Sequence, residues 1–375
     1  MAFTLSGISD ITGLNLTTTQ PAPPPEFYLW SWGNNGIGRL GLGNTTYYSS
    51  PKQIGSLTTW STVAGGGFHS AAIKTDGTMW SWGANYSNGR LGLGNTTSVS
   101  SPVQIGALTT WSTVSTGENH SAAIKTDGTL WAWGANGYGR LGLGDTANRN
   151  SPVQVGALTT WLIVSAGYTH SSAIKTDGTM WAWGQNLDGR LGLNDTTTVS
   201  SPVQVGALTT WSNVFSGQRH CAAIKTDGTI WAWGQGLHGA LGLGDIDNRS
   251  SPVQIGALTT WLKLSASGYH SSAIKNDGTM WAWGRNDNGQ LGLGNITYRS
   301  SPVQIGALTT WLNIAGGYTH RAAIKTDGTM WAWGNNLDGQ LGIGDTTKRS
   351  SPVQVGALTN WSKVALGRFH SMAIG

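Results

Sequence analysis

The chain has 375 residues, of which 56 are glycine and 21 tryptophan, with 10% charged residues and a formal net charge of +5. Glutamate occurs only at Glu26 and Glu118, too sparsely for helix surfaces, and so many aromatics exclude a disordered chain. The small, dispersed positive excess argues against a nucleic-acid surface, the single Cys221 excludes an internal disulfide, and no apolar window reaches the ~18 residues of a membrane helix.

Residues 1–26 form a first segment. Met1 to Asp10 contains no Lys or Arg and no long apolar run, so no secretory signal is expected and the chain is placed in the cytoplasm or on a virion. Phe3, Leu5, Ile8, Ile11, Leu14 and Leu16 are scattered among Thr, Ser and Gly, ahead of a stiff Pro21-Ala22-Pro23-Pro24-Pro25 spacer. The expectation is a docking arm that orders on a partner.

From residue 27 onward the chain repeats. Trp-x-Trp-Gly begins at Trp30, Trp80, Trp131, Trp181, Trp231, Trp281 and Trp331. A third tryptophan recurs from Trp60 to Trp361 and a histidine from His69 to His370, leaving only His238 out of series. The period of about 50 residues is that of a propeller blade or solenoid unit. Within one repeat, four short strands are expected at Trp111–Ser115, His120–Lys125, Thr129–Trp133 and Pro152–Val155. The Asp127-Gly128 hairpin signal lies between the second and third. One repeat cannot stand alone: three tryptophans bury at most ~15 kcal/mol of apolar surface, several times less than ordering 50 residues costs.

The chain ends at Ala373-Ile374-Gly375, where a seventh Asp-Gly hairpin would begin, and its first strand, Phe27 to Trp32, starts where that hairpin would end. The reading is an all-β, seven-bladed β-propeller of four-stranded blades over residues 27–375, closed by one blade shared between the N- and C-terminal strands.

The repeat resembles the regulator of chromosome condensation repeat family. The residues that carry the likeness are Asp127-Gly128-Thr129-Leu130-Trp131-Ala132-Trp133-Gly134, Gly139-Arg140-Leu141-Gly142-Leu143-Gly144-Asp145, Ser151-Pro152, and Gly167 through His170. The family usually places Gln before the Leu-Gly. Gln290 and Gln340 keep it, while Arg39, Arg90, Arg140, Arg190 and Ala240 depart. The resemblance implies the same shared-blade propeller. Exchange activity in the founding member works through a protruding wedge, for which no repeat here has room. Light sensing in the family uses tryptophan just before the histidine, and no matching position here is Trp.

Comparing the repeats with one another separates a near-constant frame (Lys-Thr-Asp-Gly-Thr and Gly-Ala-Leu-Thr-Thr) from variable stretches before each His and after each Trp-Gly. In a four-stranded meander the variable stretches share one end, and loops on a rigid scaffold are where binding usually sits. The candidate binding residues are Phe68, Glu118, Asn119, Tyr168, Gln218, Arg219, Tyr269, Tyr318, Arg321, Arg368 and Phe369. The seven histidines are expected to be structural rather than metal ligands, and no cofactor, metal or catalytic residue is expected. The functional expectation is a non-catalytic interaction or structural module, a peripheral component of an assembly such as a phage virion. It would bind a protein through its arm and variable face. A lectin-like glycan-binding propeller is the alternative, and an exchange-factor-like regulator stands third.

Overall fold

The computed structural model describes residues 27–375. They form seven four-stranded antiparallel sheets arranged as a ring of blades. The expected docking arm, 1–26, lies outside the described residues.

Blade 1 joins the two ends of the chain. Strands β1 (Leu29–Gly33) and β2 (Tyr48–Gln53) come from the start, and β27 (Lys363–Leu366) and β28 (His370–Ile374) from the end. β1 pairs with β28 from Leu29↔Ile374 to Gly33↔His370. Tyr28 and Gly375 then exchange backbone hydrogen bonds of 3.0 and 3.1 Å. Closure of the ring is therefore an antiparallel ladder between chain ends.

Blades 2 to 7 are six consecutive repeats holding β3 to β26. Blade 2 stands for all: β3 (Trp60–Gly65) is innermost, then β4 (His69–Lys74), β5 (Met79–Gly83) and the outer β6 (Val99–Gln104). The constant Lys-Thr-Asp-Gly-Thr run is a closed hydrogen-bonded turn. Asp76 Oδ1 accepts from the Thr78 N–H at 2.9 Å and the Thr78 hydroxyl at 2.7 Å, and that hydroxyl accepts from Trp80 Nε1 at 3.0 Å. Gly77 is required there. Its φ is +77°, and a Cβ would lie 2.1 Å from the Thr109 carbonyl oxygen of the next repeat's connector. Lys74 closes the motif by lying over the Trp80 ring at 3.9 Å.

The core is not a central plug but a set of layers between blades. Trp82 is fully buried and donates from Nε1 to the Arg39 carbonyl of the preceding blade at 2.9 Å. Between blades 5 and 6, Ile224, Ile230, Leu241, Ile255, Trp261, Leu264 and Trp283 pack together. The outer strand begins three residues earlier than its Ser-Pro signal indicates, at Arg149 rather than Pro152. A register shift between Arg149 and Val153 accommodates the proline, which has no N–H to donate, on this edge strand.

The recurring histidines weld blades together. His69 Nε2 hydrogen-bonds the Ser121 hydroxyl of the next blade at 2.8 Å, and His120–Ser171, His220–Ser271, His320–Ser371 and His370–Ser70 repeat the bond. His170 meets Cys221 Sγ instead, at 3.1 Å. Each of these six imidazoles is thus bonded to a side chain of the neighbouring blade. Burial pushes the imidazoles down, to about 3 for His69 and His320 and about 4 for His220, so they are neutral near pH 7. No helix among the described residues is long and apolar enough to cross a membrane.

Candidate functional site

The register places both variable stretches at one end of the disc. Gly83, which ends the Trp-x-Trp-Gly strand, pairs with His69, and Ala84 N–H donates to the Phe68 carbonyl at 3.0 Å. The opposite end carries the Asp-Gly turn and the Gly-Ala-Leu-Thr-Thr connector, joined by a bond from Trp111 N–H to the Gly77 carbonyl at 3.1 Å.

At the variable end the inner strands surround an axial cavity of about 120 Å³. Its wall is largely glycine, Gly66, Gly117, Gly167 and Gly217 among them, and Glu118, Tyr168, Gln218, Tyr318 and Arg368 stand at its mouth. Arg368 and Glu118 form an ion pair that reaches past blade 2. Gly67 leaves the space for it, since a Cβ there would meet Glu118 Oε2 at 2.6 Å. Glu118 is buried. Burial pushes its carboxyl up, against the opposing pull of Arg368, Arg90 and Arg140.

Aromatic rings build the wall of the mouth. Arg368 lies over Tyr318 at 4.6 Å and Phe369 at 5.0 Å, and Phe68 packs on Phe369 with centroids 6.5 Å apart. Arg39 lies over Phe68 at 5.4 Å, Arg90 over Tyr86 at 5.5 Å and Arg140 over Tyr138 at 5.4 Å. Burial lowers all three of these arginines, Arg90 to about 10. Four guanidinium groups thus gather around Glu118, with Asp338 also acting on Arg39, so cations outnumber carboxylates in this sector. Arg190 completes the arc in blade 4 but is neutralised by Asp188.

Of the expected site residues, Phe68, Glu118, Tyr168, Gln218, Tyr318, Arg368 and Phe369 meet at or beside this mouth. Asn119 is half-buried beside it, and Arg219 is exposed. Tyr269 stands farther out, edge-on to His238 at 5.7 Å, which also meets Tyr298 at 4.9 Å. Arg321 does not belong to the face. It is the second residue of β24 (His320–Lys325), where strand alternation turns its side chain between blades, and it is 0% exposed. Sequence reasoning missed Arg39, Arg90 and Arg140 as site residues. Their signal was the departure from Gln before Leu-Gly in four consecutive blades, next to Ala240, Gln290 and Gln340 in the rest.

Comparison with known proteins bears on both fold and function. The RCC1-like domain family model matches residues 161–375, and the regulator of chromosome condensation (RCC1) repeat model matches 28–73, 76–124 and 127–174. The Arabidopsis thaliana ultraviolet-B receptor UVR8 is 35% identical over 135 residues, 35% of this chain and 30% of that protein. The human probable E3 ubiquitin-protein ligase HERC6 is 39% identical over 116 residues, 29% of this chain and 11% of that protein. The match therefore spans under a third of either relative. Among solved structures, Saccharomyces cerevisiae Prp20p, described with its binding to Gsp1p and histones, superposes with a TM-score of 0.83 at 20% identity. That alignment covers 94% of this chain and 92% of Prp20p. Human WBSCR16 does so with 0.83 at 20% identity, covering 93% and 98%.

These findings overturn the expected function. A virion or other structural component, with a lectin-like propeller as its alternative, does not fit relatives that are a light receptor and a ubiquitin ligase. The solved structures, at 20% identity, show the propeller fold alone.

Proposed function

Because the chain belongs to the RCC1-like repeat family, we propose that it is a regulatory propeller that binds a protein partner at the mouth of its axial cavity. The observation that carries this is the sector where Arg39, Arg90, Arg140 and Arg368 surround Glu118 against Phe68, Phe369 and Tyr318. Arginine and aromatic side chains held rigid in a recess are the usual anchors of an interface. The excess of guanidinium groups selects an acidic surface and speeds its approach. Exposed Tyr86, Tyr138 and Leu187, on the loops after Trp-Gly, extend the recess outward into an apolar rim. The propeller acts by binding, and any chemistry belongs to what it binds.

The test uses replacements that other repeats already tolerate. Arg39→Gln, Arg90→Gln and Arg140→Gln together introduce the residue found at Gln290 and Gln340. Quantitative cross-linking capture with the wild type should identify a partner with an acidic surface, and the triple variant should lose at least tenfold of its affinity. Leu208→Ser, in an exposed connector at the opposite end, should bind normally. Equal binding by the triple variant, or loss with Leu208→Ser, would place the interface elsewhere.

A further inference from the structure

Two departures from the repeat, Ser267 and Arg321, meet at one place, the junction of blades 6 and 7. Blade 6 contains β19 (Trp261–Ala266) and β20 (His270–Lys275), and blade 7 contains β23 (Trp311–Gly316) and β24 (His320–Lys325). Ser267 stands where every other repeat has glycine three residues before the histidine. Arg321 stands where the others have serine or cysteine after the histidine. Gly316 makes room between them: a Cβ there would lie 2.0 Å from Ser267 Oγ and 3.1 Å from Arg321 Nη1.

Arg321 breaks the histidine ring. With no hydroxyl opposite it, His270 leaves both ring nitrogens without a partner, while the histidines of the other six junctions are bonded through Nε2. A second ring is interrupted too. Backbone N–H groups at Gly67, Glu118, Tyr168, Gln218 and Arg368 donate to a carbonyl of the next blade, and Gly268 and Tyr318, on either side of blade 7, make no such bond.

The guanidinium itself is incompletely used. Nη1 donates to the Ser272 hydroxyl, but Nε and Nη2 are buried without partners, as is Ser267 Oγ. No carboxylate pairs with Arg321 among the described residues. Burial alone acts on it, lowering it only to about 9, so the charge persists near neutral pH. Nε and Nη2 form the edge of a guanidinium that holds two oxygens of one carboxylate or phosphate in parallel. A buried cation with that edge unfilled is costly unless an anion fills it. Ser267 and Gly316 both line the axial cavity, so the junction has an approach from the mouth.

We propose that the junction of blades 6 and 7 is a binding site for a small oxyanion, a carboxylate or phosphate group, held on the Nε–Nη2 edge of Arg321 with Ser267 and His270 as further donors. This proposal does not rest on the partner surface at the mouth.

Thermal unfolding and calorimetric titration of the full chain, in sodium phosphate, acetate or chloride at equal ionic strength, test it. Phosphate or acetate at tenfold its dissociation constant should raise the wild-type Tm by about 2 °C over chloride. Arg321→Ser, which restores the repeat residue and the hydroxyl opposite His270, should fold and lose that difference. Ser267→Gly, likewise a repeat residue, should weaken the wild-type affinity at least threefold with Arg321 in place. A response to phosphate alone assigns a phosphoryl group, and to acetate alone a carboxylate. Equal behaviour of the wild type and Arg321→Ser in all three salts would overturn the proposal.

Discussion

Acid should unfold this protein far more steeply than its few carboxylates would suggest. Seven histidines, His69 through His370 in the repeat series, are fully buried, and burial first, then neighbouring charges in most of them, holds each well below its ordinary value of 6.5. The unfolded chain binds these protons from about pH 6.5 downward, whereas the folded chain refuses them until about pH 3–4 at His69, His220 and His320. Stability is therefore full above pH 6.5 and is lost as the pH falls through that window. Each histidine costs about 0.8 kcal/mol at pH 6 and about 1.4 kcal/mol at pH 5.5, so seven together cost about 6 and about 10 kcal/mol. The second figure is comparable to the whole stability of an ordinary domain. Urea titrations followed by tryptophan fluorescence at pH 7.5, 6.0 and 5.5 measure the loss directly. A change below about 2 kcal/mol between pH 7.5 and 5.5 would refute the claim that the ring is neutral and buried.

The remaining predictions concern single positions. Ser271→Ala removes the hydroxyl that serves His220 at 3.0 Å and should cost about 2 kcal/mol, or ~3 °C in Tm, by leaving that imidazole without a partner. Gly342→Ala places a Cβ 2.6 Å from Trp32 Nε1 at a φ of +72° and should cost about 3 kcal/mol by chemical denaturation. Gly356→Ala has a φ of +60° but nothing within 4 Å, so it should cost only the ~1 kcal/mol of backbone strain. Equal losses at the two glycines would show that the Trp32 contact is not what fixes Gly342.

The fold was legible because each repeat restates the same local chemistry. Asp-Gly marks a turn whose glycine cannot carry a side chain, and paired tryptophans mark strands that must find another sheet. The missing seventh hairpin identified the β1–β28 ladder from the two chain ends alone. The site was less legible. Position before the histidine grouped Phe68, Glu118, Arg368 and Phe369, which the hairpin brings to one end. It could not reveal that Arg39, Arg90 and Arg140, distant in sequence, fold over the same rings. Arg321 was misplaced by grouping it with its loop neighbours, when its parity along the strand already turned it inward. The junction of Ser267, Gly316 and Arg321 was hidden for a related reason: each departure is small alone, and only the packing of two blades shows them to be one change.

The variable mouth, and not the constant end, is the surface proposed to meet a protein partner. Hydrogen–deuterium exchange of the full chain with and without its captured partner tests this most directly. Slowed exchange is expected at the segments around 66–69, 117–119 and 367–369 and at the loops holding Arg39, Arg90 and Arg140, with the Gly-Ala-Leu-Thr-Thr connectors unchanged. Protection confined to those connectors and the Asp-Gly turns would contradict it.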